Sequence, residues 1–273
     1  MASEAVTEHD ESPAPWWGEF ELETGHSLHF RIGPLTMWVQ RLEGEWRVVH
    51  WSEADPMAEH QELQRTAAVL EPPSNGQIVR FTTERPDHRV TLQPVLADRP
   101  VVTRPETPIF VLAGDSVGLY VGTPMWVRLL VGDGATLLTE LPTLRPSDTW
   151  FGPSTREGEL AYAARTNARR VMETMRPKPS RAVTRVVVHN HGPDNFRIER
   201  INLPVPRLSL YRSEAGLLWT STVTLERTGA QGQVRLDTSG PPPASAGPVT
   251  RLSEPRTPLE RNVLVRALSA LLG

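Results

Sequence analysis

The chain predicts a mainly β protein, antiparallel and sandwich-like, with one or two short helices and an amphipathic helix at its C-terminus. Three observations carry this. Apolar and polar residues alternate at period two from Leu28 onward. From Pro94 on, short apolar runs recur between Pro- and Gly-containing turns. The 26 prolines, set against few long helical runs, fit short strands and punctuated loops.

Residues 1–14 are acidic and polar and read as a disordered tail, the opposite of a secretory leader. The first ordered region, 15–93, reads as a β-meander. Leu28, Phe30 and Ile32 alternate with His29 and Arg31. Leu35, Met37 and Val39 follow on one face and Trp38 on the other; Trp46, Val48 and His50 alternate with Arg47, Val49 and Trp51. Apolar residues on both faces imply that part of this sheet is covered on both sides. Asp55-Pro56 can start a short helix towards Leu70 or a loop leading to a strand. Ile78–Thr82 and Arg89–Gln93 read as further strands.

Region 94–237 reads as the sandwich. Val95-Leu96, Val101-Val102, Ile109–Leu112, Val117–Val121 and Met125–Val131 are short apolar runs, the last two separated by Gly122–Pro124. In 158–175, Leu160, Ala161, Ala164, Ala168, Val171 and Met175 fall at helical spacing, so a helix is expected there. Strands follow at Arg185–His189, Phe196–Leu203, Leu208–Tyr211, Leu217–Glu226 and Gln233–Leu236. Residues 238–256 read as a Pro/Gly linker. Thr257-Pro258-Leu259-Glu260 has the form of a capping box, and Leu259, Val263, Ala267 and Leu271 form one stripe, predicting a helix over 257–272. Its stripe either packs on its own domain or docks on a second subunit or protein partner.

At 273 residues the chain can bury one large β core or two smaller ones. The net charge of −3 gives no support for a nucleic-acid partner. Lys178 is the only lysine, and the arginines are scattered. With no Cys, thiol chemistry and disulfides are excluded. No apolar run approaches the ~20 residues of a spanning helix. A soluble cytoplasmic protein is expected, with no membrane insertion.

The densest stretch is Thr149–Tyr162, with Trp150, Phe151, two glycines and opposed charges. One reading makes it a structural corner with Trp150 and Phe151 as core anchors. The other makes Trp150, Arg156, Glu157, Glu159 and Arg165 a site for an anionic or sugar-like ligand, with Asp148 and Tyr162 beside it. His189 and His191 at i, i+2 on a strand share one side and are candidate metal ligands with Asp194 nearby; an ordinary turn over Asn190–Asn195 is the favoured reading and no metal is expected. His26 and His29 are a looser pair. Nucleotide loops, metalloprotease helices and nucleophile elbows are absent from the sequence, and no cofactor is called for.

The order of several motifs resembles the domain of unknown function 432 family. They are Arg31-Ile32-Gly33-Pro34-Leu35 with Trp38-Val39, the Pro-rich lead into Ile109–Val131, and Thr149-Trp150-Phe151-Gly152. Gly158-Glu159-Leu160-Ala161-Tyr162, Val186–Asn190, Ile198–Pro204, Leu208–Tyr211 and Trp219-Thr220 complete them. The resemblance spans residues 28–228 and implies no activity and no catalytic residue. The function expected from the residues is a non-enzymatic binding or scaffold protein acting through protein contacts. An enzyme or ligand-binding module using Trp150–Arg165 is the alternative.

Overall fold

A computed structural model describes residues 15–133, 136–152, 154, 156–172, 178–228, 233–257 and 263–265. For residues 164–167, 233 and 263–265 the backbone alone is described. The acidic tail, 1–14, lies outside these residues.

The N-terminal meander is a five-stranded antiparallel sheet of β2 (Ser27–Ile32), β3 (Leu35–Leu42), β4 (Glu45–Ser52), β5 (Gln61–Thr66) and β6 (Gln77–Thr82), in the order β5-β2-β3-β4-β6. Leu28, Phe30, Ile32, Met37, Val39 and Val48 are completely buried on its inner face. On the outer face Trp38 packs edge-on against Trp51 and His29. Asp55-Pro56 begins a turn and not a helix: Asp55 Oδ1 accepts the amide of Met57, and β5 follows.

A large eleven-stranded sheet carries β1 (Gly18–Glu21), β7 (Arg89–Leu96), β10 (Ser116–Val131), β14 (Arg181–Asn190), β18 (Leu218–Thr220), β17 (Leu210–Ser213) and β21 (Val249–Ser253) along its main path. Branching from it are β11 (Thr136–Pro142) on β10, β19 (Thr222–Thr228) on β14, β20 (Gln233–Gly240) on β19, and β22 (Val263–Val265) on β20. A four-stranded sheet runs β12 (Ser147–Phe151), β13 (Glu159–Ala168), β8 (Val101–Pro105), β16 (Ile201–Leu203). A two-stranded ribbon joins β9 (Ile109–Val111) to β15 (Phe196–Ile198). One continuous apolar core draws on all of these sheets, from Trp16 and Phe30 through Leu129 and Tyr162 to Leu210 and Leu236.

The mainly β expectation holds; the helices do not. Among the described residues the helical turns are short 3-10 turns at Val205–Arg207 and Ala244–Ala246. Residues 159–168, expected as helix, form β13, held between β12 and β8. In the C-terminal segment expected as helix 257–272, Val263–Val265 pair antiparallel with β20; residues 258–262 and 266–273 lie outside the described residues. The expected linker supplies β21, which pairs with β17.

Gly122–Pro124 does not divide two strands. β10 runs through it for 16 residues and changes partner there. Ser116–Pro124 pair with β14, while Met125–Val131 pair with β7 and Trp126–Val131 with β11. Proline is tolerated at this point because the exchange of partners leaves no ladder bond for its missing N–H. Beside it, the Met125 carbonyl accepts both Thr143 N (3.0 Å) and Thr143 Oγ1 (2.8 Å), and Thr143 Oγ1 also reaches Ser180 O (3.0 Å). Ser180 in turn meets the N-terminal sheet at Gly33, and Trp16 donates its indole N–H to Pro179 O (3.1 Å).

Gly33 is fixed by two demands. Its φ is +56°, and a Cβ there would lie 2.6 Å from Ser180 Cβ. Gly33→Ala is expected to destabilise by about 2–3 kcal/mol in urea unfolding, the left-handed backbone and the clash both contributing. Adding Ser180→Gly should recover the steric share, and a double-mutant cycle without coupling would refute the contact.

Across β10 and β11, Arg128 and Arg256 both pair with Glu140 (2.7 and 2.6 Å), whose side chain is 20% exposed. Burial opposes ionisation of Glu140, but the two guanidinium groups outweigh it and hold its carboxyl below the ordinary range. A depressed carboxylate stabilises the fold above its unfolded value, and that share is lost as pH falls through the folded value. Glu140→Gln should therefore cost about 2 kcal/mol at neutral pH. The gap from wild type should close in melts taken near pH ~3.

Candidate functional site

Thr149–Tyr162 folds as the β12–β13 hairpin. The register sets Trp150 opposite Leu160 and Phe151 opposite Glu159. Alternation then separates the faces. Phe151 and Ala161 point into the core, and Arg200 lies over the Phe151 ring at 5.6 Å. Trp150 and Leu160 share the opposite face and are 44% and 45% exposed. Phe151 is thus a core anchor as one reading required, and Trp150 is not.

The turn between the strands is tightly built. Ser154 Oγ accepts the amides of Arg156 (3.3 Å) and Glu157 (3.1 Å), while Ser154 O accepts the Trp150 indole N–H at 2.8 Å. The two glycines permit the crossing: a Cβ on Gly158 would lie 2.5 Å from Phe151 O, and one on Gly152 would overlap Glu157 O. The Trp150 ring is consequently fixed while remaining accessible.

The charged candidates separate. Glu159 accepts a hydrogen bond from Asn202 Nδ2 (2.6 Å), and Asp148 accepts one from Arg99 (3.1 Å). Arg99 also covers the ring of Tyr162, whose hydroxyl donates to Asp98 (2.9 Å). Burial and Asp98 together raise the Tyr162 phenol above its ordinary value. Arg156 and Glu157 are exposed at the turn. The Arg165 side chain lies outside the described residues.

His189 and His191 stack, with ring centroids 5.8 Å apart and planes 10° apart. Asp194, the possible third ligand, instead pairs with Arg227 at 2.7 Å. Among the described residues, no group of three or more His, Cys, Asp or Glu side chains is arranged to hold a metal. His26 Nδ1 contacts Thr24 O (3.3 Å), and burial followed by Arg31 lowers the His29 imidazole.

Asn190, between the two histidines, does structural work that spacing alone did not reveal. It is wholly buried and donates to Val111 O (3.0 Å), Leu112 O (3.1 Å) and Asp194 O (2.8 Å). Its Oδ1 accepts Gly192 N (3.1 Å) and Arg227 Nη1 (3.3 Å). One side chain thereby ties β14 to the β9 ribbon and orients a buried arginine.

The sequence also missed Arg145 and Arg181. Together with Ser147 and Ala163 at the far end of the β12–β13 hairpin, they line a hollow of about 200 Å³. Neither arginine carries a motif, and they are distant in sequence, so only the fold brings them together.

A family model described as "Protein of unknown function (DUF432)" matches residues 16–272. The match extends past both ends of the 28–228 span over which the resemblance was traced. No curated protein and no solved structure matches the chain.

Asn190→Ala removes the hydrogen bonds of a wholly buried amide to three carbonyls, of which the bond to Val111 O is itself buried. A loss of about 3 kcal/mol is expected in chemical unfolding. Asn190→Asp should fare no better, since a carboxylate would face those carbonyls; recovery of wild-type stability by Asp would contradict the assignment.

Proposed function

This chain belongs to the DUF432 family, whose description carries no activity, so we propose from geometry that it is a non-enzymatic binding or scaffold protein acting through protein contacts. The observation that supports this is the Trp150–Leu160 pair. Two large apolar side chains face solvent side by side, and the indole is already held by its bond to Ser154 O. Immobilising an exposed tryptophan before binding removes an entropic cost that a partner would otherwise meet. Tryptophan is also the residue type most enriched at energetic hot spots. Exposed Arg156 and Glu157 at the turn give the patch a polar rim.

The contact surface on this reading is the β12–β13 face. The alternative, a C-terminal helix docking on a partner or second subunit, loses support because Val263–Val265 are already paired to β20. The same hairpin face also suits a ligand-binding module, because a sugar ring can stack on an exposed tryptophan.

The test is affinity purification of the full chain from its native host, with Trp150→Ser/Leu160→Ser as the comparison. The double variant should melt within about 1 kcal/mol of wild type, since both positions are exposed. Proteins recovered with wild type should be lost with the variant. Recovery of the same set by both chains would refute the reading.

A further inference from the structure

Arg181 opens β14 directly opposite Pro124, at the point where β10 changes partner. Its side chain lines the hollow of about 200 Å³. Pro56, Pro124, Leu144 and Ala163 make apolar walls; Arg145 and Ser147 stand at the exposed rim. No acidic side chain is among the described residues that line it.

Arg181 Nη1 is sealed from solvent and has no hydrogen-bond partner among the described residues. The carboxylates adjacent in sequence to the hollow are engaged elsewhere: Asp148 with Arg99 and Asp55 with the Met57 amide. Burial accordingly lowers the Arg181 guanidinium from the usual arginine value.

Two fully buried arginines provide an internal comparison for the half-buried Arg181. Arg41, 4% exposed, donates to the carbonyls of Leu42, Glu45, Arg85 and Asp87. Arg227, 3% exposed, holds Asn190 and Asp194. Both of these guanidinium groups bond to protein through their Nη atoms. At Arg181 no such bond is found among the described residues, and its side chain lines a hollow together with a second arginine and a hydroxyl.

We propose that this hollow binds a small organic anion. Its carboxylate or phosphate head is gripped by Arg181, Arg145 and Ser147, and its apolar body lies against Pro56, Pro124 and Leu144. Arginine's planar fork suits either head group. The volume is below the ~300–1,000 Å³ of drug-sized sites, which limits the body to a short chain or single ring. This site is independent of the Trp150 face.

The test is calorimetric titration and thermal melting of the full chain with benzoate, phenyl phosphate, inorganic phosphate and benzyl alcohol. Benzoate or phenyl phosphate should bind one per chain and raise Tm; the tighter of the two identifies the head group. Benzyl alcohol, lacking the charge, should do neither. Arg145→Gln should weaken binding about tenfold without altering the fold, because its side chain is exposed. Arg181→Met should abolish binding. Without ligand it should melt at or above wild type, since it removes a buried unpaired charge. Absence of binding by both organic anions up to about 1 mM would overturn the proposal. Equal affinity for benzyl alcohol, or unchanged affinity in Arg181→Met, would do so too. Inorganic phosphate binding as tightly as phenyl phosphate would overturn the apolar contact. If Arg181→Met does not fold, unchanged affinity in Arg145→Gln decides against the site.

Discussion

The exchange of partners along β10 is the constraint on which the rest of the molecule depends. One strand of 16 residues serves two sets of neighbours, β14 up to Pro124 and then β7 and β11. A strand that changes neighbours leaves backbone groups between ladders, and in a buried region those groups have to be bonded. Proline removes one donor. Thr143 and Ser180 collect the rest through Met125, whose N–H donates to Ser180 O at 3.3 Å. Because Ser180 also meets Gly33 in the β2–β3 turn, it joins the N-terminal sheet to the larger one, and the adjacent Pro179 holds Trp16 ahead of β1. The main apolar core spans that junction, with a smaller cluster of Val183, Trp219 and Ala246 beside it.

This junction also marks where the sequence stopped being legible. Period-two alternation located β2, β3 and β4, because each has one face in the core; β6 was read from its apolar residues although none of them is fully buried. Gly122–Pro124 looked like a break, since glycine and proline usually end strands. In the fold the segment is covered, and Thr123 Oγ1 bonds Thr184 Oγ1 across β14 at 2.5 Å. The expected helices failed for a related reason. Leu160, Ala161, Ala164 and Ala168 fit a helical stripe, but Leu160 and Ala161 equally fit the two sides of a strand. Pairing with β12 and β8 decides between them, and pairing is invisible to local propensity. At the C-terminus Thr257 has the identity of a cap, yet its N–H donates to Pro206 O at 3.0 Å, and the Val-Leu-Val segment beyond it joins β20.

The candidate residues divide along the same line. Trp150, Ser154, Gly152 and Gly158 lie within one hairpin, so a tight corner could be read from their spacing. What spacing could not show was which aromatic turned inward. The register settles it: Phe151 faces the core and Trp150 faces solvent. Arg145 lies between β11 and β12 while Arg181 opens β14, and both line one hollow only because β14 begins where β10 changes neighbours. Nothing in the residues around either one announces the other.

Alternation along β12 sets how the two surfaces of this hairpin relate. Ser147 and Trp150 are three positions apart, on opposite faces and about 10 Å along the strand. Ala163 and Leu160 repeat that arrangement on β13, in register with them. A protein partner covering Trp150 therefore need not obstruct the Arg181 hollow, and an anion in the hollow need not touch Trp150. The two sites share a hairpin but no side chain. Any coupling between them would have to pass through a shift of β12 against β13, and Phe151 and Ala161, both buried in the core, resist that shift. The fold thus favours two independent binding events over one regulated by the other.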